Sequence, residues 1–189
     1  NLTGSGYFSS QPRWVLDGNA VLFLTDRYGM RSHASWGSLN DVMLVFMNKD
    51  AYDKFRLSKE DYELQKELEK EQKKNAEKAD ADKKKGKKKD DKKADKKEEK
   101  KDIDVQLDGI EDRIVRITPN SSEIADAIVD ADGESLYYLS AFEEGYDLWK
   151  LDLRKKSTEC LKKLDTSSAQ FDVQKDGKCI FILGSRIMQ

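Results

Sequence analysis

The sequence predicts an all-β chain, a partial β-propeller of four-stranded antiparallel blades interrupted by a charged helical and disordered insertion. Three observations carry this. An Asp-Gly pair followed two residues later by a β-branched or aromatic run occurs three times, the second and third occurrences lie 44 residues apart, and one long stretch has the composition of neither strand nor core. The three segments are "WVLDGNAVLFLTD" from Trp14, "VDADGESLYYLS" from Val129 and "VQKDGKCIFILGS" from Val173. Asp-Gly between apolar runs marks a hairpin, because Gly enters the positive φ of a primed turn without steric cost. A period of 44 residues fits one four-stranded blade.

Each element follows from this frame. The first hairpin leads into Val21 to Leu24, and "DVMLVFMN" from Asp41 supplies a third strand. The fourth is "DRIVRIT" (112–118), the counterpart of "STECLKKL" (157–164) in the next repeat. Asp17 and Asp132 are 115 residues apart instead of 44, and the excess falls in two places: nine residues before Asp41 and 62 after "DVMLVFMN". The chain therefore divides into the inner strands of a first blade (1–50), an insertion (51–109), and a last portion (110–189). That portion holds the fourth strand of the first blade, a complete second blade and the start of a third.

The insertion carries its own signals. Residues 58–101 hold 18 Lys and 14 Asp or Glu, a net of +4, within a chain of net charge −2. "SKEDYELQKELEKEQKKNAEKA" opens with Ser58-x-x-Asp61, similar to a capping box, and continues in good helix formers, so a helix is expected over about 58–79. Its apolar contacts are only Tyr62, Leu64 and Leu68. Beyond it, "DKKKGKKKDDKKADKKEEKKD" has nothing to build a core with, and disorder is expected over about 80–104. A lysine run invites a polyanion-binding reading, acting through Lys83 to Lys101, but Asp90, Asp91, Asp95, Glu98 and Glu99 interrupt it and no aromatic residue is interleaved to stack on bases. A solvated spacer is the simpler reading, and no nucleic-acid partner is expected.

Outside the insertion, the chain suffices for about three blades, whereas closed propellers have roughly four to eight. It reads as part of a longer protein, whose remaining blades and domains, or a second copy, would cover the open faces. No run approaches a membrane span and no segment reads as a signal peptide. Cys160 and Cys179 fall in different units without metal-ligand spacing, so two buried thiols are expected, with a disulfide open only in an oxidising compartment. The chain has one His, which argues against a zinc site.

The segment "DRYGMRSHASWGSLND" (26–41) gathers Ser32, His33, Ser35 and Asp41 around two glycines. A hydrolytic triad needs its serine, histidine and acid to converge beside an oxyanion hole. Ser32 and His33 are neighbours that point to opposite faces of an extended chain, and no G-x-S-x-G elbow is present. Tyr28 and Trp36 read as packing residues, and Glu143 and Glu144 as a solvated turn before Gly145. No phosphate-binding loop occurs. The expected site is accordingly empty of chemistry, with no catalytic, cofactor-binding or metal-ligating residue and no cofactor.

The segments "DGNAVLFLTDRYGMRSHASWGSLNDVMLVFMN", "LDGIEDRIVRITPNSS" and "DGESLYYLSAFEEGYDLWKLDLR" resemble the propeller region of tricorn-like serine proteases, of the bacterial type with a lysine-rich blade insertion. The core Phe23-x-Thr25-Asp26-Arg27-x-Gly29 is shared with TolB-like and WD-repeat-like propellers, and the flanking "RSHASWGS" and "EDRIVRIT" narrow the resemblance. It implies a non-catalytic segment of a peptidase whose nucleophile and base lie in later domains, with a peptide or protein substrate of the parent enzyme as partner. The segment would guide or gate peptides or support homo-oligomeric assembly, in a periplasmic setting. Two alternatives stay open: a TolB-like protein-binding propeller without protease activity, and a polyanion-binding protein.

Overall fold

A computed structural model describes residues 1–32, 37–84, 103–173 and 180–184. Three antiparallel sheets follow one another along the chain. The first has the order β1 (Ser9–Val15), β2 (Ala20–Thr25), β3 (Asp41–Phe46), β4 (Ile114–Arg116), and the second β5 (Glu123–Val129), β6 (Ser135–Ala141), β7 (Tyr146–Asp152), β8 (Ser157–Thr166). The third pairs β9 (Ala169–Val173) with β10 (Ile180–Gly184). Spatial order equals chain order in both four-stranded sheets, so each is a meander joined to the next by a short link. The fold is all-β and propeller-like, and no sheet closes into a barrel.

All three expected hairpins form, but their connections are longer than a two-residue primed turn. Val15 pairs with Ala20 and Val129 with Leu136. In the first connection Leu16, Asp17 and Gly18 all take positive φ, of 54°, 54° and 85°. In the second, Gly133 has φ 71° as its Asp-Gly pair requires. That loop is closed by Asp130 rather than Asp132, since Asp130 Oδ1 accepts from the backbone N–H of Glu134 (2.8 Å) and Ser135 (3.1 Å). Asp176 and Gly177 lie outside the described residues, and their flanks pair in the register Val173 to Ile180.

Strand alternation then distributes the core. Leu22, Leu24, Val42, Leu44 and Phe46 of the first sheet face Ile124, Ala127, Val129, Leu136 and Tyr138 of the second in one buried layer. On the opposite face of the first sheet, Phe23, Met43, Val45 and Met47 are covered by Ile110. The other face of the second sheet packs Ile128, Leu139 and Leu164 against Phe171 of β9. Strand β8 is the outer edge of its sheet, and Cys160 on it is exposed, which corrects the expectation of a buried thiol. An edge strand carrying Lys162 and Lys163 presents most of its side chains to water, Leu164 and Thr166 excepted. Cys179 lies outside the described residues.

Polar ties join the sheets. Asp126, buried at a register irregularity in β5, accepts from its own neighbour Ala127 N–H (2.8 Å), from Phe171 N–H in β9 (2.8 Å) and from Arg13 Nη2 in β1 (3.3 Å). Arg13 Nη1 also donates to Ala127 O (3.3 Å). One carboxylate thereby links all three sheets. The first two are also bridged where Asn40 and Ser122 exchange backbone hydrogen bonds (2.8 and 3.1 Å), with Ser140 Oγ donating to Ser122 Oγ (2.7 Å).

Two helices occupy the insertion, against the single one expected over about 58–79. Helix α1 (Lys49–Arg56) is capped by Asn48, whose Oδ1 accepts from Ala51 N–H (2.9 Å). Tyr52 and Phe55 pack against Phe46 at ring distances of 5.7 and 4.9 Å, and Arg154 of the β7–β8 turn lies over Phe55 and donates to its carbonyl (2.6 Å). This helix seals one end of the layer between the two sheets. The returning chain is held by Arg113, a buried guanidinium that donates to the carbonyls of Phe46, Asp108, Gly109 and Gln106. The compact unit containing the sheets comprises Asn1–Phe55 and Ile103–Gln189, and Arg56–Asp102 form a second unit.

In that second unit, α2 (Lys59–Lys84) begins at the foreseen cap, with Asp61 N–H donating to Ser58 Oγ (3.1 Å) and Ser58 Oγ donating to Asp61 Oδ2 (2.7 Å). Leu64 and Leu68 are exposed and Tyr62 is buried. The segment for which disorder was expected lies, from residue 85 to 102, outside the described residues. Among the described residues no helix is long and apolar enough to cross a membrane.

The three-way role of Asp126 gives a direct test. Asp126→Ala strands Arg13 and the Phe171 N–H together, and should lower the unfolding free energy by about 3–5 kcal/mol in urea titration. Arg13→Ala, which leaves the buried Asp126 carboxylate its two backbone donors but no cation, should cost about 1.5–3 kcal/mol.

Candidate functional site

The loops at one end of the sheets form the richest surface, and the Phe23-x-Thr25-Asp26-Arg27-x-Gly29 motif builds it. Phe23 is core. Thr25 Oγ1 donates to Phe8 O (3.0 Å), and Asp26 Oδ1 accepts from Phe8 N–H (3.0 Å) and from Arg31 Nη2 (3.2 Å). Together they pin the segment that precedes β1. Gly29 is required because a Cβ there would collide with the backbone carbonyl of Leu39, which crosses directly over it. The motif is thus a device for folding the β2–β3 loop back on itself, and that loop continues through Ser32 N–H to Gly37 O (3.0 Å) and Leu39 N–H to Met30 O (3.0 Å).

Arginine and tyrosine interleave around this loop. The Arg27 guanidinium sits 5.8 Å from the Tyr7 ring centre and 5.5 Å from that of Tyr28, Arg31 sits 4.8 Å from Tyr7, and Arg116 sits 5.1 Å from Tyr28. Tyr28, expected as a packing residue, is half-exposed and sandwiched by cations.

On its inner side the loop walls a two-lobed groove. The larger lobe, about 660 Å³, is lined by Phe8, Met30, Ser38, Asn40, Glu123 and Tyr146 among others, and the smaller, about 460 Å³, reaches Asp26 and Arg31. The lobes share Phe8, Ser32, Gly37 and Ser38. Glu123 opens β5 and Tyr146 opens β7, which brings two residues of the second sheet to the wall of a first-sheet loop. Tyr146 Oη donates to Glu123 Oε1 at 2.8 Å. Partial burial, the hydrogen bond to Glu123 and its negative charge push the Tyr146 phenol up to about 12, so it stays a donor at all physiological pH values. Gly145 makes this placement possible, since its φ is 83° and a Cβ would lie 2.8 Å from the Asp165 backbone.

Asp41 is fully buried and committed to Arg116 Nε (2.9 Å), Thr118 Oγ1 (3.0 Å) and Ser121 Oγ (2.8 Å), which fix the link from β4 to β5. Ser32 lines the groove, whereas His33, Ser35 and Trp36 lie outside the described residues. Glu143 forms an exposed ion pair with Lys163 (3.8 Å). Glu123 and Tyr146 carry no sequence signature; only their placement at two strand starts in one seam unites them.

No family model matches the sequence, and no curated protein sequence matches it. Among solved structures, the crystal structure of the tricorn protease aligns over 97% of this chain and 17% of that chain, at 9% identity and a TM-score of 0.49. The chain thus spans about a sixth of that protein's length.

Two phenols offer a spectroscopic check. Burial raises Tyr138 to about 12, opposed by its hydrogen bond with Thr158, and Tyr146 reaches a similar value. A raised folded-state value means that the stabilisation is complete below pH 10 and is lost as the pH rises through about 12. In alkaline titration at 295 nm, the difference between the native protein and Tyr146→Phe should be a single phenol ionising near 12; a midpoint near 10 would contradict the Glu123 contact.

Proposed function

We propose that this chain is a non-catalytic propeller segment of a tricorn-like serine peptidase, where it guides or gates peptide substrates or supports assembly. One observation supports the reading: in the shared Phe23-x-Thr25-Asp26-Arg27-x-Gly29 motif, Phe23 serves the core while Thr25, Asp26 and Gly29 shape a loop whose described residues wall a groove. The acids of the tempting segment, Asp26 and Asp41, are bound to structural partners. The resemblance of the flanking segments to tricorn-like propellers supplies the peptidase context. In that setting the nucleophile and base belong to other domains of the parent chain, and the charged insertion is a solvated spacer mounted on α1 and Arg113.

The test compares peptidase activity on a mixed peptide library for this chain, for a full-length parent protein, and for a parent lacking residues 58–101. Cleavage by the parent alone is expected, with the deletion retaining most of it because α1 and the Arg113 clamp remain. A parent inert on every peptide would overturn the peptidase reading in favour of a TolB-like protein-binding propeller.

A further inference from the structure

We propose that the larger lobe of the groove is a binding subsite for a basic side chain, lysine or arginine, of an extended peptide, with Glu123 as its anionic anchor. The inference rests on the reading above only in taking the ligand to be a peptide. Charge complementarity carries it. Among the described lining residues of this lobe, Glu123 is the single charged group, and the others are neutral polar or apolar. The Tyr146 phenol occupies Oε1 of that carboxylate at 2.8 Å and holds it against the wall, which leaves Oε2 to receive a cation. Among the described residues no lysine or arginine pairs with Glu123, although Asp26 and Asp41 in the same loop system are both matched to arginines.

The walls suit the stem of such a side chain as well as its charge. Phe8 is 69% and Met30 75% exposed, which leaves apolar surface beside the carboxylate for a methylene chain to lie on. Ser38 and Asn40 offer neutral polar atoms for the peptide backbone. An acidic side chain would meet the Glu123 carboxylate, and a purely aliphatic one would desolvate that carboxylate without supplying a counter-charge, so both are selected against.

The experiment is calorimetric titration of this chain, at low ionic strength, with capped pentapeptides differing only at the central residue: lysine, norleucine or glutamate. The lysine peptide should bind at least tenfold more tightly than norleucine, and the glutamate peptide should not bind. Glu123→Gln should abolish the preference for lysine over norleucine, whereas Glu143→Gln, an exposed acid on the neighbouring turn, should leave it intact. Equal affinity for lysine and norleucine, no binding of the lysine peptide, or an unchanged preference in Glu123→Gln would each overturn the proposal. Peptidase activity of the parent is scored separately: cleavage by the parent without selective binding here sinks the subsite alone, and selective binding here with an inert parent sinks the peptidase reading alone.

Discussion

The buried carboxylate of Asp126 is the constraint on which the sheet assembly depends. Face-to-face packing of antiparallel sheets is driven by apolar area and has little directional preference, so similar sheets could slide along one another at little cost. A carboxylate shared between Arg13, Ala127 and Phe171 removes that freedom, because buried charge is tolerated only where its partners stand in place. The local irregularity of β5 beside Asp126 is the means: it breaks strict alternation and leaves one polar side chain where a strand neighbour would otherwise be apolar.

A second carboxylate repeats the principle at the loop end. Asp41 takes Arg116, Thr118 and Ser121 and so fixes the link that delivers the chain into β5 at Glu123. With Asn40 and Ser122 bridged, the end of the β2–β3 loop is tied to the start of the second sheet. The groove is a consequence of that tie. At the opposite end α1 performs the same closure with aromatic rings and Arg154, which lets a long insertion leave and re-enter the first sheet without opening its core.

Much of this architecture is legible in the sequence, and the reasons are local. The Asp-Gly pairs and the runs at Val21, Leu136 and Ile180 predict hairpins because turn chemistry and alternation act over a few residues. The cap at Ser58 is legible for the same reason. Helix α1 is not: its eight residues are held by packing on Phe46 of the preceding strand and by Arg154, which lies 99 residues beyond its partner Phe55. The exposure of Cys160 likewise follows from sheet position rather than from neighbours in sequence. The site was the least legible part. The conspicuous Ser32 belongs to the loop that walls the groove and Asp41 opens the strand after it, but the groove residues Glu123 and Tyr146 are ordinary strand-start residues until the sheets are stacked.

The most direct test of this account is native-state hydrogen exchange of the intact chain, read at the amides of Leu44, Ala127 and Phe171. If Asp126 makes the three sheets one cooperative body, these amides should exchange with the same opening free energy and respond together to denaturant. Exchange of Phe171 at the rate of an unstructured peptide, while Leu44 stays protected, would mean that the third sheet opens independently and that the shared carboxylate does not bind the sheets into one body.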